Sequence, residues 1–283
     1  MATGRTRTAE NLDLTLCLGR SLFQSRDLEQ LRDLLSSHAP AWTSDLHIQR
    51  HRRRREVDDF AHSVRQAASE RGALFAELTD RFGPSPYERQ TGSVELRGAD
   101  SSLIVVIHLD DYTFSPSAGR WLWGNTITLQ VCRARVGEKD AETFVERFAI
   151  AACSRLSPWY AHGHLAVEFH ARNISTEGGG MRAIGIDYSR YLPGLYWLNF
   201  FGDPYCRLIG QERLLGAPSH MARVIDEGVL LRVNQKASSW NCAESRAQQV
   251  LTHIGEQYFF DREHPERETV APDFSRLCPA IRT

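Results

Sequence analysis

Apolar residues recur at helical spacing between Asp140 and Leu156 and form one stripe along the predicted helix. The stripe consists of Ala141, Phe144, Val145, Phe148, Ala152 and Leu156. Ser157-Pro158 follows directly and predicts the end of the helix, because proline disfavours helical backbone in the residue before it. A stripe of this width has to be buried against another layer of structure. The rest of the chain must therefore supply a matching apolar surface.

That surface is predicted to be a β-sheet, because several segments alternate apolar and polar residues or are rich in Val, Ile and Thr. The predicted strands cover residues 12–18, 46–48, 93–97, 102–109, 125–136, 165–169, 195–201, 222–226 and 229–233. Further helices are predicted at residues 27–37, 56–71, 74–82 and 242–255. Several neighbouring strands leave no room for a crossover helix. This favours an α+β fold, with a mainly antiparallel sheet, helices packed on one face and a single continuous core.

The chain has 283 residues, and we expect them to form one domain, 1–283, because no polar linker divides the sequence. Gly83-Pro84-Ser85-Pro86 is a cluster of residues that break regular structure. It is the candidate internal joint, near 83–86.

Charge and hydropathy exclude several classes of protein. The 34 Lys and Arg residues nearly balance 35 Asp and Glu residues, giving a net charge of −1. Binding to nucleic acid through counterion release needs a surplus of positive charge, so we expect no nucleic-acid partner. No apolar stretch approaches the roughly 20 residues that span a membrane. The N-terminal segment lacks the apolar core of a signal peptide, and no Cys-x-x-Cys is present, so we expect reduced thiols and a cytoplasmic location.

The most notable polar group in the sequence lies around residue 165. His162, His164, Glu168 and His170 share one parity, so an extended strand would project all four from one face. His162, His164 and Glu168 are therefore candidate metal ligands. The ordinary polar face of an amphipathic strand explains the same pattern, and residues 162 and 170 lie too far apart to share an ion. We therefore expect no bound metal and no cofactor.

Two charged segments are candidate partner-binding surfaces. The first is the basic run Arg52, Arg53, Arg54 and Arg55, which could dock an acidic partner but has no interleaved aromatic residues for stacking on bases. The second is the acidic segment of residues 256–273, which includes Asp261, Glu263 and Glu266 and could steer a basic partner. The simpler explanation of the basic run is a solvated strand end neutralised by nearby acidic residues, and that of the acidic run is an ordinary exposed segment.

One segment resembles a known family. Residues 188–202 contain Leu192-Pro193-Gly194, Trp197-Leu198 and Phe201-Gly202, in the order of a Leu-Pro-Gly-x-x-Trp-Leu-x-x-Phe-Gly motif. This motif is similar to one found in bacterial immunity proteins of type VI secretion and polymorphic toxin systems. The resemblance covers roughly the second half of the chain. Physically, the motif is typical of a turn and a strand, so we expect Trp197 to lie in the core.

The resemblance implies a cytoplasmic immunity protein that binds and neutralises a cognate toxin or secreted effector and catalyses no reaction. The sequence contains no Gly-x-Ser-x-Gly, His-Glu-x-x-His or phosphate-binding loop that would indicate a local catalytic site. The alternative is a metal-assisted enzyme that uses His162, His164 and Glu168 with a ligand from elsewhere in the chain.

Overall fold

The computed structural model describes residues 11–19, 27–38, 47–48, 91–97, 102–110, 126–177, 180–188, 190–243 and 245–273. The strands are β1 (Asn11–Cys17), β2 (His47–Ile48), β3 (Thr91–Arg97), β4 (Leu103–Asp110), β5 (Thr126–Cys132), β6 (Tyr160–Leu165), β7 (Ile174–Ser175), β8 (Arg182–Ala183), β9 (Leu198–Phe201), β10 (Met221–Ile225) and β11 (Gly228–Arg232). The helices are α1 (Asp27–His38), α2 (Arg133–Val136), α3 (Glu138–Leu156), α4 (Ala166–Asn173), α5 (Asp203–Ile209), α6 (Gln211–Leu215) and α7 (Ala247–Ile254). Short 3₁₀ turns cover Ala237–Asn241 and Glu256–Tyr258.

Nine of these strands form one sheet, in the order β10-β11-β9-β6-β1-β5-β4-β3-β2, and β7 and β8 form a separate small hairpin. Neighbouring strands of the large sheet pair antiparallel throughout. The predicted α+β class and the antiparallel sheet are confirmed. Among the described helices, none has both the length and the apolar character that crossing a membrane requires.

The first face of the sheet is covered by the two longest described helices, α1 and α3. The leucines at alternate positions of β1, Leu12, Leu14 and Leu16, point to this face, and their register with β5 and β6 aligns further apolar residues beside them. Phe148 of α3 packs into the same cluster. The helical stripe predicted from the sequence is the surface that α3 buries.

The second face of the sheet is also covered by helices, whereas the sequence analysis predicted helices on one face only. Phe201 of β9 and Val229 of β11 pack there against side chains of α5, α6 and α7, such as Tyr205 and Ile254. The buried apolar residues therefore form two clusters, one on each side of the sheet, where the sequence analysis expected one continuous core. Strands β6, β9 and β11 are buried at nearly every position because both of their faces are covered.

The motif segment places its residues on both sides of this sheet. Trp197 is 1 % exposed and packs into the first cluster, as predicted, whereas Tyr196 points to the second face. Gly202 ends β9 where the chain passes very close to another segment: a Cβ at this position would lie 2.5 Å from the carbonyl oxygen of Pro158. The final glycine of the motif is therefore required by packing.

Two predictions of local structure are wrong, and others lie outside the described residues. Residues 133–136 form α2 and not the end of a strand, and residues 166–173 form α4 where a strand was predicted at 165–169. The joint near 83–86 and the helices predicted at 56–71 and 74–82 lie outside the described residues.

Candidate functional site

Two buried amide side chains hold Tyr196 in place just before β9. The Tyr196 hydroxyl donates to Asn173 Oδ1 at 2.6 Å, and Asn173 Nδ2 donates to the carbonyls of Ile184 and Pro193 at 3.2 and 3.0 Å. On the other side, Asn199 Nδ2 donates to the Tyr196 carbonyl at 2.7 Å, and Asn199 Oδ1 accepts from the Tyr196 amide at 3.1 Å. Both amide side chains are fully buried, so the loop between α4 and β9 is fixed by hydrogen bonds that water cannot replace.

Next to Tyr196, β6 places two histidines on the second face of the sheet. The centroid of the His162 ring lies 5.0 Å from that of His164 and 4.9 Å from that of Tyr196. His162 Nε2 is 3.2 Å from the Tyr188 hydroxyl, and His164 Nδ1 donates to the Leu165 carbonyl at 3.2 Å. Because a carbonyl oxygen only accepts, Nδ1 of His164 carries the ring proton.

Burial keeps both imidazoles neutral. It lowers the pKa of His164 from 6.5 to about 4. It also lowers the pKa of His162 well below 6.5, and the neighbouring His164 adds to that effect. The ring of Phe169, on α4, stacks on His164 at 4.9 Å between centroids. The pair is therefore an aromatic packing element enclosed between β6 and α4.

Buried carboxyl groups lie in the same layer. Glu168 on α4 is 1 % exposed, and its Oε1 lies 3.3 Å from Nε of Arg172. Burial outweighs Arg172 and raises the pKa of Glu168 from 4.5 to about 8. Asp13 lies directly opposite His164 in the register of β1 and β6, and burial raises its pKa to about 7. The two carboxyl groups and the two histidines are therefore all buried, and the pKa of each is shifted toward its neutral form.

The structure does not assemble the candidate metal ligands His162, His164 and Glu168 into one coordination site. The strand that carries His162 and His164 ends at Leu165, so Glu168 and His170 lie on a helix and do not share the strand face. Across the described parts of the chain, His, Cys, Asp and Glu side chains nowhere form a group of three or more that could hold a metal ion. The sequence does contain one feature that favours a helix here: Glu168 and Arg172 are four residues apart, and they form an ion pair one turn apart on α4.

The acidic segment after α7 is anchored to the rest of the fold. The motif residue Leu192 forms a parallel bridge to Phe259, with its amide donating to the Tyr258 carbonyl at 2.8 Å and its carbonyl accepting from the Phe260 amide at 2.8 Å. Further along, Arg262 donates to the Ala171 carbonyl at the end of α4. The motif segment and α4 therefore hold this acidic segment.

Within this segment, the charged residues have different roles. Asp261 accepts hydrogen bonds from the amides of Glu263 and His264 and pairs with the His264 ring at 3.0 Å, so it stabilises a turn. Arg267 donates from both terminal nitrogens to Glu256 Oε2 at 3.1 Å. Asp261, one of the partner-binding candidates, thus also stabilises a turn.

Three carboxylates of the segment point outward. Glu263, Glu266 and Glu268 are exposed, and no cation of the described residues pairs with them. We call these three residues the acidic face. A shallow cleft of about 380 Å³ lies beside it, and Arg190, Glu266, Arg267, Glu268, Thr269 and Ala271 line this cleft. The acidic face therefore offers negative charge on a backbone that internal bonds already hold.

The basic run Arg52, Arg53, Arg54 and Arg55 lies outside the described residues. Sequence reasoning missed Asn173 and Asn199, because nothing local distinguishes a buried structural amide from a surface amide. Their role depends on the pairing of β6 with β9 and on the path of the loop before β9.

Comparison with known proteins finds a similar fold but no similar sequence. No family model matches the chain, and no curated protein is similar to it in sequence. Among solved structures, the chain is similar to the Pseudomonas aeruginosa T6SS protein PA0821, with a TM-score of 0.50 and 12 % sequence identity. The match covers 88 % of this chain and 73 % of the other. At this level of identity, the similarity concerns the fold.

Proposed function

We propose that this chain is an immunity protein that binds a cognate bacterial toxin or type VI secretion effector in the cytoplasm and neutralises it by steric occlusion. The observation that carries the proposal is the fold shared with a T6SS protein over most of the chain. The motif in residues 188–202, which resembles that of immunity proteins, supports the same function from the sequence.

The proposed contact includes the acidic face. Its backbone is held by the bridge between Leu192 and Phe259 and by the pair between Arg267 and Glu256, so little conformational entropy is lost when a partner binds. Exposed carboxylates accelerate encounter with a basic partner and fix its orientation. A stable complex of ordinary size covers about 800 Å² on each protein, which is enough to close an active cleft.

The experiment is co-expression of the chain with each candidate toxin encoded beside its gene, with survival of the host cell and co-purification as readouts. We expect one toxin to lose its lethality and to purify as a complex with the chain. A result in which every candidate stays lethal and none binds contradicts the proposal.

The contact surface is tested with charge reversals. Glu266→Lys with Glu268→Lys is expected to slow association with the toxin about tenfold or more at low salt, because the steering charge is inverted. Asp140→Lys, at an exposed position of α3, is the matched control and should leave the association rate within about twofold. Equal effects of the two changes would place the contact elsewhere while leaving immunity itself intact.

A further inference from the structure

Strand β10 is the outermost strand at one end of the sheet. It pairs with β11, and among the described strands no other lies beside it. Its central residues, Arg223 and Val224, are exposed. An edge strand of this kind presents backbone amides and carbonyls that another strand can pair with.

Apolar surface accompanies this edge. Val224 is 45 % exposed, and its register with Val229 places it on the second face of the sheet. Helix α6 packs against β10 and β11 on that face, and its last residue, Leu215, is 36 % exposed. The edge therefore combines an open strand with two partly exposed apolar side chains.

The charges along the strand are complementary to themselves. Arg223 lies near the middle of β10, and the exposed residues Asp226 and Glu227 form the turn that follows it. In an antiparallel pair of two β10 strands centred on Val224, residues 221–223 of one copy face residues 225–227 of the other. Each Arg223 then approaches the acidic turn of the second copy, and the two Val224 side chains meet at the symmetry axis.

We propose that two copies of this chain form a dimer by antiparallel pairing of their β10 strands, which joins the two sheets into one. A two-fold axis through Val224 keeps the side-chain faces of both strands in phase, as a buried face requires. Val224 and Leu215 supply the apolar contact, and Arg223 with Glu227 of the second copy fixes the register. This inference does not depend on the proposed function.

The test is analytical ultracentrifugation of the purified full chain from low micromolar to several hundred micromolar concentration. We expect the mass to rise from 32.1 kDa toward twice that value. Val224→Lys should weaken association about tenfold or more, with the thermal midpoint checked to confirm folding. Val167→Lys, at an α4 residue of similar exposure (40 %), is the matched control and should dimerise like the wild type.

Charge exchange tests the register. Arg223→Glu should weaken the dimer, and adding Glu227→Arg to the same chain should restore it, because the pair is then reversed. A mass that stays at 32.1 kDa at every concentration overturns the proposal. So does a dimer that Val224→Lys leaves intact, and a double variant without recovery contradicts the register.

Discussion

Glu168 and Arg172 lie one turn apart on α4, with 3.3 Å between Oε1 and Nε, yet this ion pair does not keep the carboxyl group acidic. Glu168 is 1 % exposed, and loss of hydration costs its charged form more than Arg172 returns. The pKa of Glu168 therefore rises from 4.5 to about 8, which makes the stability of the fold depend on pH.

Glu168→Gln is expected to flatten the stability profile between about pH 4.5 and pH 8. The unfolded chain releases the Glu168 proton near pH 4.5, whereas the folded chain holds it to about pH 8. Between these values the folded state binds more protons, so the free energy of unfolding of the wild type falls as pH rises. Relative to the variant, the slope should reach at most about 1.4 kcal/mol per pH unit. Urea denaturation between pH 5 and pH 9 measures the difference, and parallel profiles would show that Glu168 is ionised in the fold.

His164→Phe is expected to act on the acidic side with the opposite sign. Burial lowers the pKa of His164 to about 4, so between pH 6.5 and pH 4 the unfolded chain binds more protons than the folded chain. The wild type should therefore lose stability on acidification relative to the variant, by up to about 1.4 kcal/mol per pH unit. Phenylalanine keeps the stacking with Phe169 and Tyr196 and removes the titrating group. Denaturation at stepped pH tests this, and equal acid dependence of the two proteins would contradict it.

How far the sequence predicted the fold depends on which interactions are local. The sequence predicts β1 from the alternation of Leu12, Leu14 and Leu16, and α3 from its apolar stripe. Both are predictable because an element with one apolar face leaves a periodic pattern in the sequence. The region around residue 165 was not, because Leu165, Val167 and Phe169 also fit strand alternation while the chain forms α4. Packing against β1 and β6 decides between the two, and that packing is not visible in a short window.

The candidate site was less predictable than the fold for the same reason. His162 and His164 were singled out from their spacing, but their surroundings are set by residues far along the chain. Asp13 meets His164 through strand register, and Tyr196 meets His162 through the loop before β9. Without these contacts, a buried aromatic stack and an exposed ligand pair have the same sequence pattern.

Gly202→Ala is expected to destabilise the fold by at least about 2 kcal/mol. The added methyl group would lie 2.5 Å from the Pro158 carbonyl oxygen and 2.9 Å from Trp159 Cα. Relief would require moving the backbone, since the Gly202 amide also donates to the Trp159 carbonyl at 3.1 Å. Gly180→Ala is the matched control, because a Cβ there meets nothing within 4 Å. Urea midpoints measure both changes, and a similar small loss for the two would refute the close approach.

Arg267→Ala tests whether the anchoring of the acidic face contributes to toxin binding, separately from the carboxylates that would contact the toxin. Arg267 is 40 % exposed and pairs with Glu256, so its loss should cost less than about 1 kcal/mol of folding stability. If the acidic face binds the toxin, the freed segment must be ordered on binding, so the complex should dissociate faster, while association should not slow because a positive charge has been removed from the acidic face. Glu266→Lys should show the reverse pattern, with slower and more salt-dependent association. Surface plasmon resonance resolves both rates. An Arg267→Ala complex with the wild-type dissociation rate would show that this anchor does not contribute to binding.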